Sequence, residues 1–547
     1  MVGKNSKSSC TRCEKFEPRV DVSSANVYTK LRSEFGTSID DSEGVEQTMR
    51  LCDRDVDDYE TKLAYLRSQI IYIETQRARV IDHKIELGSL LSPIRKLPNE
   101  ILGIIFDSAC NQNLLCDSED KYSAIRVLPA LAISAVSFRW RHLALSSSRL
   151  WSTLNLKFSV VTIAAEFMLK LKLYLERSGN SPLFLDVKIK GFPDDNSSLP
   201  VMDLLVQHSK RWKTFTVNGQ WLLTSCYALL HPRQHFPILT ALSTDGDFHQ
   251  EELDIFEDSP QLCSVRTTVL PPSRLPSHQL THVEIAVPSS EDLIGQLDRS
   301  PNLTTMVLLG QKQSFSVQDL GRLSRTMPMV RSLVLQVQLS NNLLQTVFSC
   351  LTCPRLSELS ISSAYHHYDN SAISVIPWPK HLFKSFMLKV SSGLTTFTIR
   401  DISISDLDLI AALEFMSSLR SLAIHDLRLR KENSPITTRL IQSLHLRGNQ
   451  RSSFRSPLVP RLHDLAVEFG GTDFDDTIFV SMVASRWLPD RDYSAGVDVD
   501  RLGSVVLKFF RREVNKEVYQ PLQDLEVMGL RVVVDGAMER KNYRKRR

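Results

Sequence analysis

The first strong pattern in the chain is a heptad repeat of apolar residues. Alternating steps of four and three residues connect Val45, Met49, Cys52, Val56, Tyr59, Leu63, Leu66, Ile70 and Ile73. This rhythm predicts one long coiled-coil-like helix over residues 41–91, with a narrow apolar seam along its length. Residues 1–40 are rich in Ser, Lys, Asp and Thr without a sustained period, and they are predicted to form a disordered tail.

The seam of the predicted helix needs a partner, because a narrow apolar stripe cannot bury itself. Arg77 and Lys84 interrupt the seam at positions that a coiled coil would keep dry. Periodicity leaves the identity of the partner open. A homodimer formed with a second copy of the chain, another protein and packing on the chain's own body all fit the pattern.

A second kind of pattern, short helices with broad apolar faces, fills residues 92–156. Pro98 pre-sets a helical φ in a first turn, where its missing N–H is tolerated. Polar residues dominate 107–127, which are predicted to form an inserted loop between helices. Helical spacing then returns from Leu128 onward, and the segment closes with Leu150 and Trp151.

Two runs of this segment, LSPIRKLPNEILGIIFDSA and LAISAVSFRWRHLALSSSRLWSTLNL, resemble the F-box in the form common in mushroom-forming fungi. The resemblance implies an all-α module that docks on the Skp-type adaptor of a cullin–RING ubiquitin ligase and performs no chemistry. It implies that the adaptor contacts Leu97, Pro98, Glu100, Ile101, Leu102, Ile105, Phe106, Val136, Trp140 and Leu143. The alternative is that Leu102, Phe106 and Trp140 form the core of a helical hairpin.

The third pattern is a recurring phrase after residue 157, in which apolar residues occupy the first, fourth and sixth places. Clear copies begin at Leu303, Val330, Leu356, Leu394, Leu419 and Leu462, and less regular ones at Trp212, Leu239, Leu262, Leu280, Ile441, Leu502 and Leu522. Most consecutive copies lie within or near the spacing of leucine-rich repeats. The phrase predicts a short strand, and residues 292–297 and 408–413 predict helices between strands.

The predicted fold class is therefore α/β, with a long N-terminal helix, all-α F-box helices and an irregular leucine-rich-repeat-like solenoid that contains a parallel sheet. The solenoid is predicted over residues 157–535, and its concave face would bind a protein substrate. Variable positions such as Arg331, Glu358, Arg420 and Asp464 would contact that substrate. A plain α/β domain is the alternative interpretation of the spacing.

Composition adds little to this picture except exclusions. The chain has 66 basic and 62 acidic residues, so its formal charge of +4 disfavours nucleic acid as a partner of the whole protein. Residues 536–547 form a basic tail, which fits either a nuclear signal or a solvated terminus. The sequence shows no apolar run long enough to span a bilayer and no apolar signal region near its first residues, which predicts no membrane partner and an intracellular location, cytoplasmic, nuclear or both.

Candidate chemistry is sparse. Cys10 with Cys13 and Cys350 with Cys353 form CxxC pairs, but neither is followed by a second ligand pair at finger-like spacing. His366 and His367 are adjacent, so their side chains diverge and do not predict a shared metal. Phosphate-binding and hydrolase motifs are absent from the sequence. No cofactor or metal is predicted, and the chain is predicted not to be an enzyme.

Together these patterns favour a non-enzymatic substrate-recognition adaptor of an SCF-type ligase. Its F-box would bind the Skp-type adaptor and, through it, the cullin, while the repeats would bind an unknown protein substrate. The alternative is a leucine-rich interaction scaffold that acts outside any ubiquitin ligase.

Overall fold

The computed structural model describes the helices and strands of the chain and most of their connections. The residues described are 18–22, 26–32, 39–117, 128–159, 163–191, 200–219, 234–245, 250–272, 274–287, 289–310, 324–338, 342–363, 378–390, 393–426, 434–446, 457–470, 474–488, 498–510 and 512–536. The chain divides into two compact units, residues 1–102 and 103–547. The division therefore falls between the predicted boundaries at 92 and 157.

The first unit is dominated by one long helix, as the heptad pattern predicts. Helix α1 spans Asn26–Leu31 and α2 spans Ile39–Leu90, followed by a 3₁₀ turn at Pro93–Lys96. Helix α1 lies in the stretch predicted to be disordered, so that prediction does not hold for its residues. The other residues of 1–40 lie mostly outside the described ranges.

Helix α3 (Asn99–Ala109) follows, and the second unit alternates helices with strands. The helices after α3 are α4 Pro129–Val136, α5 Phe138–Ser146, α6 Ala165–Arg177, α7 Pro200–Val206, α8 Ser290–Arg299, α9 Leu343–Cys350, α10 Lys380–Met387, α11 Asp406–Leu413, α12 Thr438–Leu444, α13 Asp476–Arg486 and α14 Gln520–Val527. Short 3₁₀ turns lie at Ser148–Trp151, Ser209–Arg211, Gln250–Phe256 and Ser277–Gln279.

The strands form one large parallel sheet and a small parallel pair. They are β1 Asn113–Cys116, β2 Thr153–Ser159, β3 Leu183–Lys190, β4 Trp212–Asn218, β5 Ala241–Asp245, β6 Ser264–Thr267, β7 His282–Val287, β8 Thr305–Gly310, β9 Arg325–Thr326, β10 Ser332–Val337, β11 Leu351–Thr352, β12 Glu358–Ser363, β13 Thr396–Arg400, β14 Ser421–Asp426, β15 Asp464–Phe469, β16 Ser504–Phe509 and β17 Arg531–Gly536. The sheet has 15 strands in strict chain order, and β9 pairs with β11 apart from it.

The predicted α/β class, long N-terminal helix and parallel sheet are confirmed. Along most central strands, buried side chains alternate with half-buried or exposed ones, as in β10, where Leu333 and Leu335 are buried. In β7 and β14 the last three residues are all buried. The register aligns Met306, Leu333 and Leu359 across adjacent strands. Apolar residues of successive phrases therefore stack on one face of the sheet, while helices such as α8 and α11 lie between strands in sequence.

One backbone feature repeats ahead of the strands. The carbonyl of Thr304 accepts hydrogen bonds from two successive N–H groups, those of Arg331 (2.8 Å) and Ser332 (3.1 Å). We call such a group a double-acceptor carbonyl. The same arrangement recurs at Thr240, Cys263, Thr281, Arg331, Ser357, Thr395, Arg420 and His463. Each of these residues directly follows the first apolar residue of a phrase, so the phrases occupy equivalent places in the structure.

Two of the predicted copies are not strands. Ile441 lies in α12 and Leu522 in α14. Both phrases place apolar residues three apart, a spacing that a helix also satisfies, and the side chain of Thr437 caps α12 by accepting from Leu440 N at 3.3 Å. The strands predicted at Ile441 and Leu522 are therefore wrong.

The predicted inserted loop is also partly wrong. Helix α3 continues to Ala109, and β1 lies inside residues 107–127 as the first strand of the sheet, paired with β2. Residues 118–127 lie outside the described ranges. Among the described helices, none combines the length and the apolar character that crossing a membrane requires.

Candidate protein-docking surface

The segment that resembles an F-box begins with two prolines that set its local geometry. Pro93 opens the 3₁₀ turn, after which Leu97 is extended, with φ −66° and ψ 137°. The carbonyl of Pro98 accepts the hydrogen bond of Leu102 N at 3.1 Å, which starts α3. Leu97, which precedes a proline, is held out of the helical region, and Pro98 itself can precede α3 without losing a hydrogen bond.

Helix α3 exposes an unusual amount of apolar surface. Ile101, Ile104 and Ile105 share one side of the helix by their spacing, and their side chains are 43%, 66% and 41% exposed. Pro98 and Glu100 are exposed as well, and Leu97 is half-buried. Exposed isoleucines on consecutive turns are typical of a surface that another protein covers.

The opposite side of α3 is core. Leu102 and Phe106 are almost completely buried, so these two predicted contacts do not offer surface to a partner. The ring of Phe106 packs against Trp140, with centroids 4.8 Å apart. Their burial fits the alternative in which they form the core of a helical hairpin, while their contact with an adaptor stays a prediction, because the helical pattern alone does not say which apolar residues face inward.

A second apolar patch lies where α4 meets α5. Ser137 ends α4 in an extended conformation and caps α5, its hydroxyl accepting from Trp140 N at 3.2 Å. Val136 and Phe138 on either side of this cap are 60% and 86% exposed, whereas Trp140 and Leu143 are half-buried. Phe138 was not predicted to be a contact residue. The sequence did carry a signal for its exposure. Phe138 lies two residues before Trp140, and residues two apart lie on different sides of a helix, so a Trp140 that packs inward leaves Phe138 facing outward.

The helices next to this patch are fixed to the sheet by one buried amide. The Nδ2 group of Asn113 donates to the carbonyls of Cys110 (3.2 Å), Leu150 (2.9 Å) and Thr153 (3.1 Å). Its Oδ1 accepts from Ala130 N, the second residue of α4, at 3.3 Å. One side chain on β1 therefore holds the end of α3, the start of α4 and the start of β2 in place.

Trp151 supplies the apolar counterpart of this network. It is fully buried, its Nε1 donates to Ala144 O at 2.7 Å, and its ring lies 5.0 Å from that of Tyr174. The guanidinium of Arg177 lies 4.5 Å from the same ring. Burial raises the pKa of the Tyr174 phenol above its usual range. These contacts lock the C-terminal end of α5 against α6.

The sheet offers a second set of candidate contacts. The predicted substrate-reading residues lie at or just before the amino ends of strands: Arg331, Glu358 and Arg420 are exposed, and Asp464 is half-buried. Arg331 lies beside Glu358 and Arg420 beside Asp464, since in each pair the carbonyl of the arginine accepts a hydrogen bond from the N–H of the acidic residue. Strand β13 separates the two pairs, so the four residues do not form one cluster. They stay predictions.

A more compact charged row lies near the carboxyl ends of β13 to β16. The register places Arg400, His425, Glu468 and Lys508 side by side on adjacent strands. Glu468 is 3.0 Å from His425 Nδ1 and accepts from Lys508 Nζ at 2.9 Å. Each residue directly follows the last apolar residue of its phrase, which is the signal that the sequence reasoning missed.

The electrostatics of this row are dominated by the partial burial of its histidine. Burial lowers the pKa of His425, and the positive charge of Arg400 lowers it further, against the opposing effect of Glu468. Burial acts to raise the pKa of Glu468, but hydrogen bonds from Lys508 and His425 outweigh it, and that pKa is lowered. Within the row, Lys508 and Glu468 form an ion pair, and His425 adds a hydrogen bond to Glu468.

The remaining sequence candidates carry no site in the described residues. Cys350 and Cys353 are buried, and burial raises the pKa of Cys353 to about 12, which keeps its thiol protonated. Among the residues that the structure describes, no group of three metal-ligating side chains is present. Cys10, Cys13, His366 and His367 lie outside the described ranges, as does the basic tail beyond residue 536.

Comparison with known proteins adds no assignment. The sequence matches no protein-family model and no curated protein.

Proposed function

We propose that this chain is a non-enzymatic substrate-recognition adaptor of a cullin–RING ubiquitin ligase. Its F-box-like segment would bind a Skp-type adaptor, and its sheet would bind the protein to be ubiquitinated. The observation that carries the proposal is the exposure of Pro98, directly before α3, and of Ile101 and Ile105 along it. Val136, at the end of α4, is exposed as well. The resemblance assigns these residues to the adaptor interface, and the fold leaves them at the surface.

The finer fold proposal is that the parallel sheet belongs to an irregular leucine-rich solenoid. Two features support it: the strands follow strict chain order, and the double-acceptor carbonyl recurs at one place in the phrase from Thr240 to His463. An array of this kind presents an extended surface to a protein ligand. The half-buried and exposed strand positions, which alternate with the core, would form that surface.

The mechanism follows from having two binding surfaces on one chain. No bond is made or broken by this protein. Holding the ligase adaptor and the substrate together raises the effective concentration of substrate lysines near the ubiquitin carrier. A ligase adaptor of this kind would act inside the cell, in the cytoplasm, the nucleus or both.

The test is a binding measurement between the full chain and a purified Skp-type adaptor. Ile101→Lys and Phe138→Ala each remove an exposed apolar side chain from one of the two patches. Exposed anchors that become buried in an interface contribute about 2 kcal/mol, so each variant should raise Kd about 30-fold. Leu169→Lys, on α6, changes a side chain that is 67% exposed outside these patches and should leave Kd unchanged.

Absence of binding by the wild-type chain, or equal binding by all three variants, would contradict the proposal. Circular dichroism spectra that match the wild type would show that a weaker variant is still folded. Because Ile101 and Phe138 are exposed, their replacement leaves no cavity in the core.

A scaffold that acts outside any ligase is the second candidate function, and one observation favours it. Asn113 ties α4 to the first strands of the sheet, so these helices also serve as the amino-terminal cover of the array. Affinity purification followed by mass spectrometry separates the two functions. Skp-type adaptor and cullin peptides support the ligase proposal, whereas stable partners without them support the scaffold.

A further inference from the structure

A long row of exposed apolar residues lies on α2. Its 52 residues extend about 78 Å, and the seam residues from Val45 to Leu87 are exposed. Near the middle of the seam, Leu63 and Ile70 are 49% and 55% exposed. An apolar seam that persists for more than four heptads is typical of a helix covered by another helix.

In-register parallel pairing of two copies would bring like charges together inside the seam. The heptad places Met49, Leu63 and Ile70 at a positions, and the same phase places Arg77 and Lys84 at a. In a parallel dimer each a residue faces the same residue of the partner. Arg77 would then face the partner's Arg77, and Lys84 the partner's Lys84.

The flanks of the seam also disfavour a parallel dimer. In that arrangement each g residue lies beside the e residue of the next heptad in the partner. Asp55 would lie beside the partner's Glu60, and Lys62 beside the partner's Arg67. Both are pairs of like charge, and symmetry doubles each of them. Because Arg19 already forms an ion pair with Asp55, the conflict between Lys62 and Arg67 is the stronger of the two.

Antiparallel pairing removes these conflicts when Leu63 lies opposite the partner's Leu66. Val56 then packs opposite the partner's Ile73, and Tyr59 opposite the partner's Ile70, so the centre of the seam is apolar. Glu60 and the partner's Arg67 come together at flanking e positions, as an opposite-charge pair that occurs twice. One like-charge contact, Asp53 with the partner's Glu74, remains, and symmetry repeats it as well.

The basic interruptions of the seam also find acidic neighbours in this register. Arg77 lies at the level of the partner's Cys52 and Asp53, and Lys84 at the level of the partner's Val45 and Glu46. The acidic amino-terminal half of α2 therefore covers the more basic carboxyl-terminal half of the second copy. Charge complementarity along the full overlap selects this arrangement.

The segment before α2 is compatible with such a dimer. Arg19 Nη1 donates to Asp55 Oδ1 at 2.7 Å, and Arg19 Nη2 is 2.7 Å from Asp58 Oδ2. Asp55 lies at a g position and Asp58 at a c position on the same side of the helix, while Cys52 and Val56 in the seam stay exposed. The first described residues therefore neutralise acidic groups beside the seam without covering it.

We propose that α2 pairs with α2 of a second copy as an antiparallel coiled coil, centred between Leu63 and Leu66. This interface is independent of the proposed ligase function and concerns a different surface. The partner is a copy of this chain, because the chain's own charges are better matched in the antiparallel than in the parallel orientation, and the basic seam residues Arg77 and Lys84 meet acidic neighbours only in the antiparallel one.

The test starts with sedimentation equilibrium of the full chain at micromolar concentration. The wild type and Ile71→Lys should be dimers, whereas Ile70→Lys should sediment as a monomer. Ile70 lies in the seam, and Ile71 is an equally apolar neighbour, 64% exposed, at an outward b position. A monomeric wild type, or a dimer that Ile70→Lys leaves intact, would overturn the proposal.

Charge reversal decides the orientation. Glu60→Arg should weaken the dimer about tenfold, because it converts both Glu60–Arg67 pairs into like-charge pairs, and adding Arg67→Glu should restore affinity. A parallel dimer predicts the opposite sign, since the introduced arginine would lie beside the partner's Asp55. Asp82→Arg makes the same charge change at an outward f position and should have no effect. A tighter dimer for Glu60→Arg would refute the antiparallel arrangement.

Cross-linking gives an independent measure of orientation. Cys52 is exposed and lies opposite the partner's residue 77 in the antiparallel register. Arg77→Cys should therefore give a 52-to-77 disulfide between subunits under mild oxidation, identified by peptide mass spectrometry. A 52-to-52 link in the wild type would instead require the two Cys52 residues to be adjacent, whereas the proposal separates them by about 37 Å.

Discussion

Replacing Asn113 by alanine is the sharpest available test of how the docking helices are held. The side chain is completely buried and joins the end of α3, the start of α4 and the start of β2. Asn113→Ala removes the two N–H donors and the acceptor oxygen of the amide at once. The space that remains can be filled only if neighbouring groups rearrange.

The expected loss of stability follows from the groups that remain. The carbonyls of Leu150 and Thr153 and the N–H of Ala130 each lose a hydrogen-bond partner. A buried polar group left without a partner costs about 1–3 kcal/mol, and part of this is recovered where a group keeps another bond. The unfolding free energy should therefore fall by about 3–5 kcal/mol, a large fraction of the stability of a typical domain.

Urea unfolding monitored by tryptophan fluorescence measures this change, because Trp140 and Trp151 lie in the affected region. Hydrogen exchange with mass spectrometry should show faster exchange in α4 and α5 first. Asn218→Ala is the matched control, since Asn218 is exposed and donates to Asp245 Oδ2 at 3.0 Å, and it should change stability by less than about 0.5 kcal/mol. A loss below about 1 kcal/mol for Asn113→Ala would refute the role given to this amide.

Two further predictions concern titratable groups. Burial lowers the pKa of His425 below its usual value of 6.5, so near that pH the unfolded chain binds a proton that the folded protein does not. The free energy of unfolding should therefore fall as the pH drops from about 7.5 to about 5.5. The urea midpoint of His425→Gln should fall less over this range than the midpoint of the wild type. An identical fall in both proteins would show that His425 is not responsible. Burial also raises the pKa of Cys110 and Cys353 to about 12, so iodoacetamide at about pH 8 should label these two thiols only after unfolding. Rapid labelling of either thiol in the folded protein would contradict their burial.

The elements that the sequence predicted well are those whose pattern extends over many residues. The heptad seam located the long helix to within two residues at its start and one at its end. The phrase with apolar residues at its first, fourth and sixth places located strands β8, β10, β12 and β13. Its fourth and sixth residues are two apart, a spacing that places both side chains on the same face of a strand.

Short elements and ambiguous spacings defeated the same reasoning. Strand β1 has four residues in a polar neighbourhood, and its stability comes from pairing with β2 and from the amide of Asn113, which no local pattern reveals. The phrase at Ile441 satisfies helix and strand spacing alike, and the cap at Thr437 selects the helix.

The candidate site was predicted as a set of residues, but not as a surface. The motif located α3 and the α4–α5 corner, yet it could not separate the buried Leu102 and Phe106 from the exposed Ile101 and Ile105. Phe138, the most exposed aromatic residue of this region, was missed because the motif includes Trp140 but not this neighbour. The burial of a helical residue depends on which other elements pack against its side of the helix, and those elements lie far away in the sequence.

The ladder of double-acceptor carbonyls has a consequence for how the molecule tolerates change. Each carbonyl bonds only to the start of the next strand, so removing residues 304–330 would present the carbonyl of Thr281 with the N–H groups of Arg331 and Ser332, the same two donors that Thr304 now serves. The large sheet would shorten by one strand with its carbonyl pairing preserved, while β11 would lose its partner β9, which lies in the deleted stretch. The large sheet can therefore gain or lose a strand without a change in the pairing of the strands on either side.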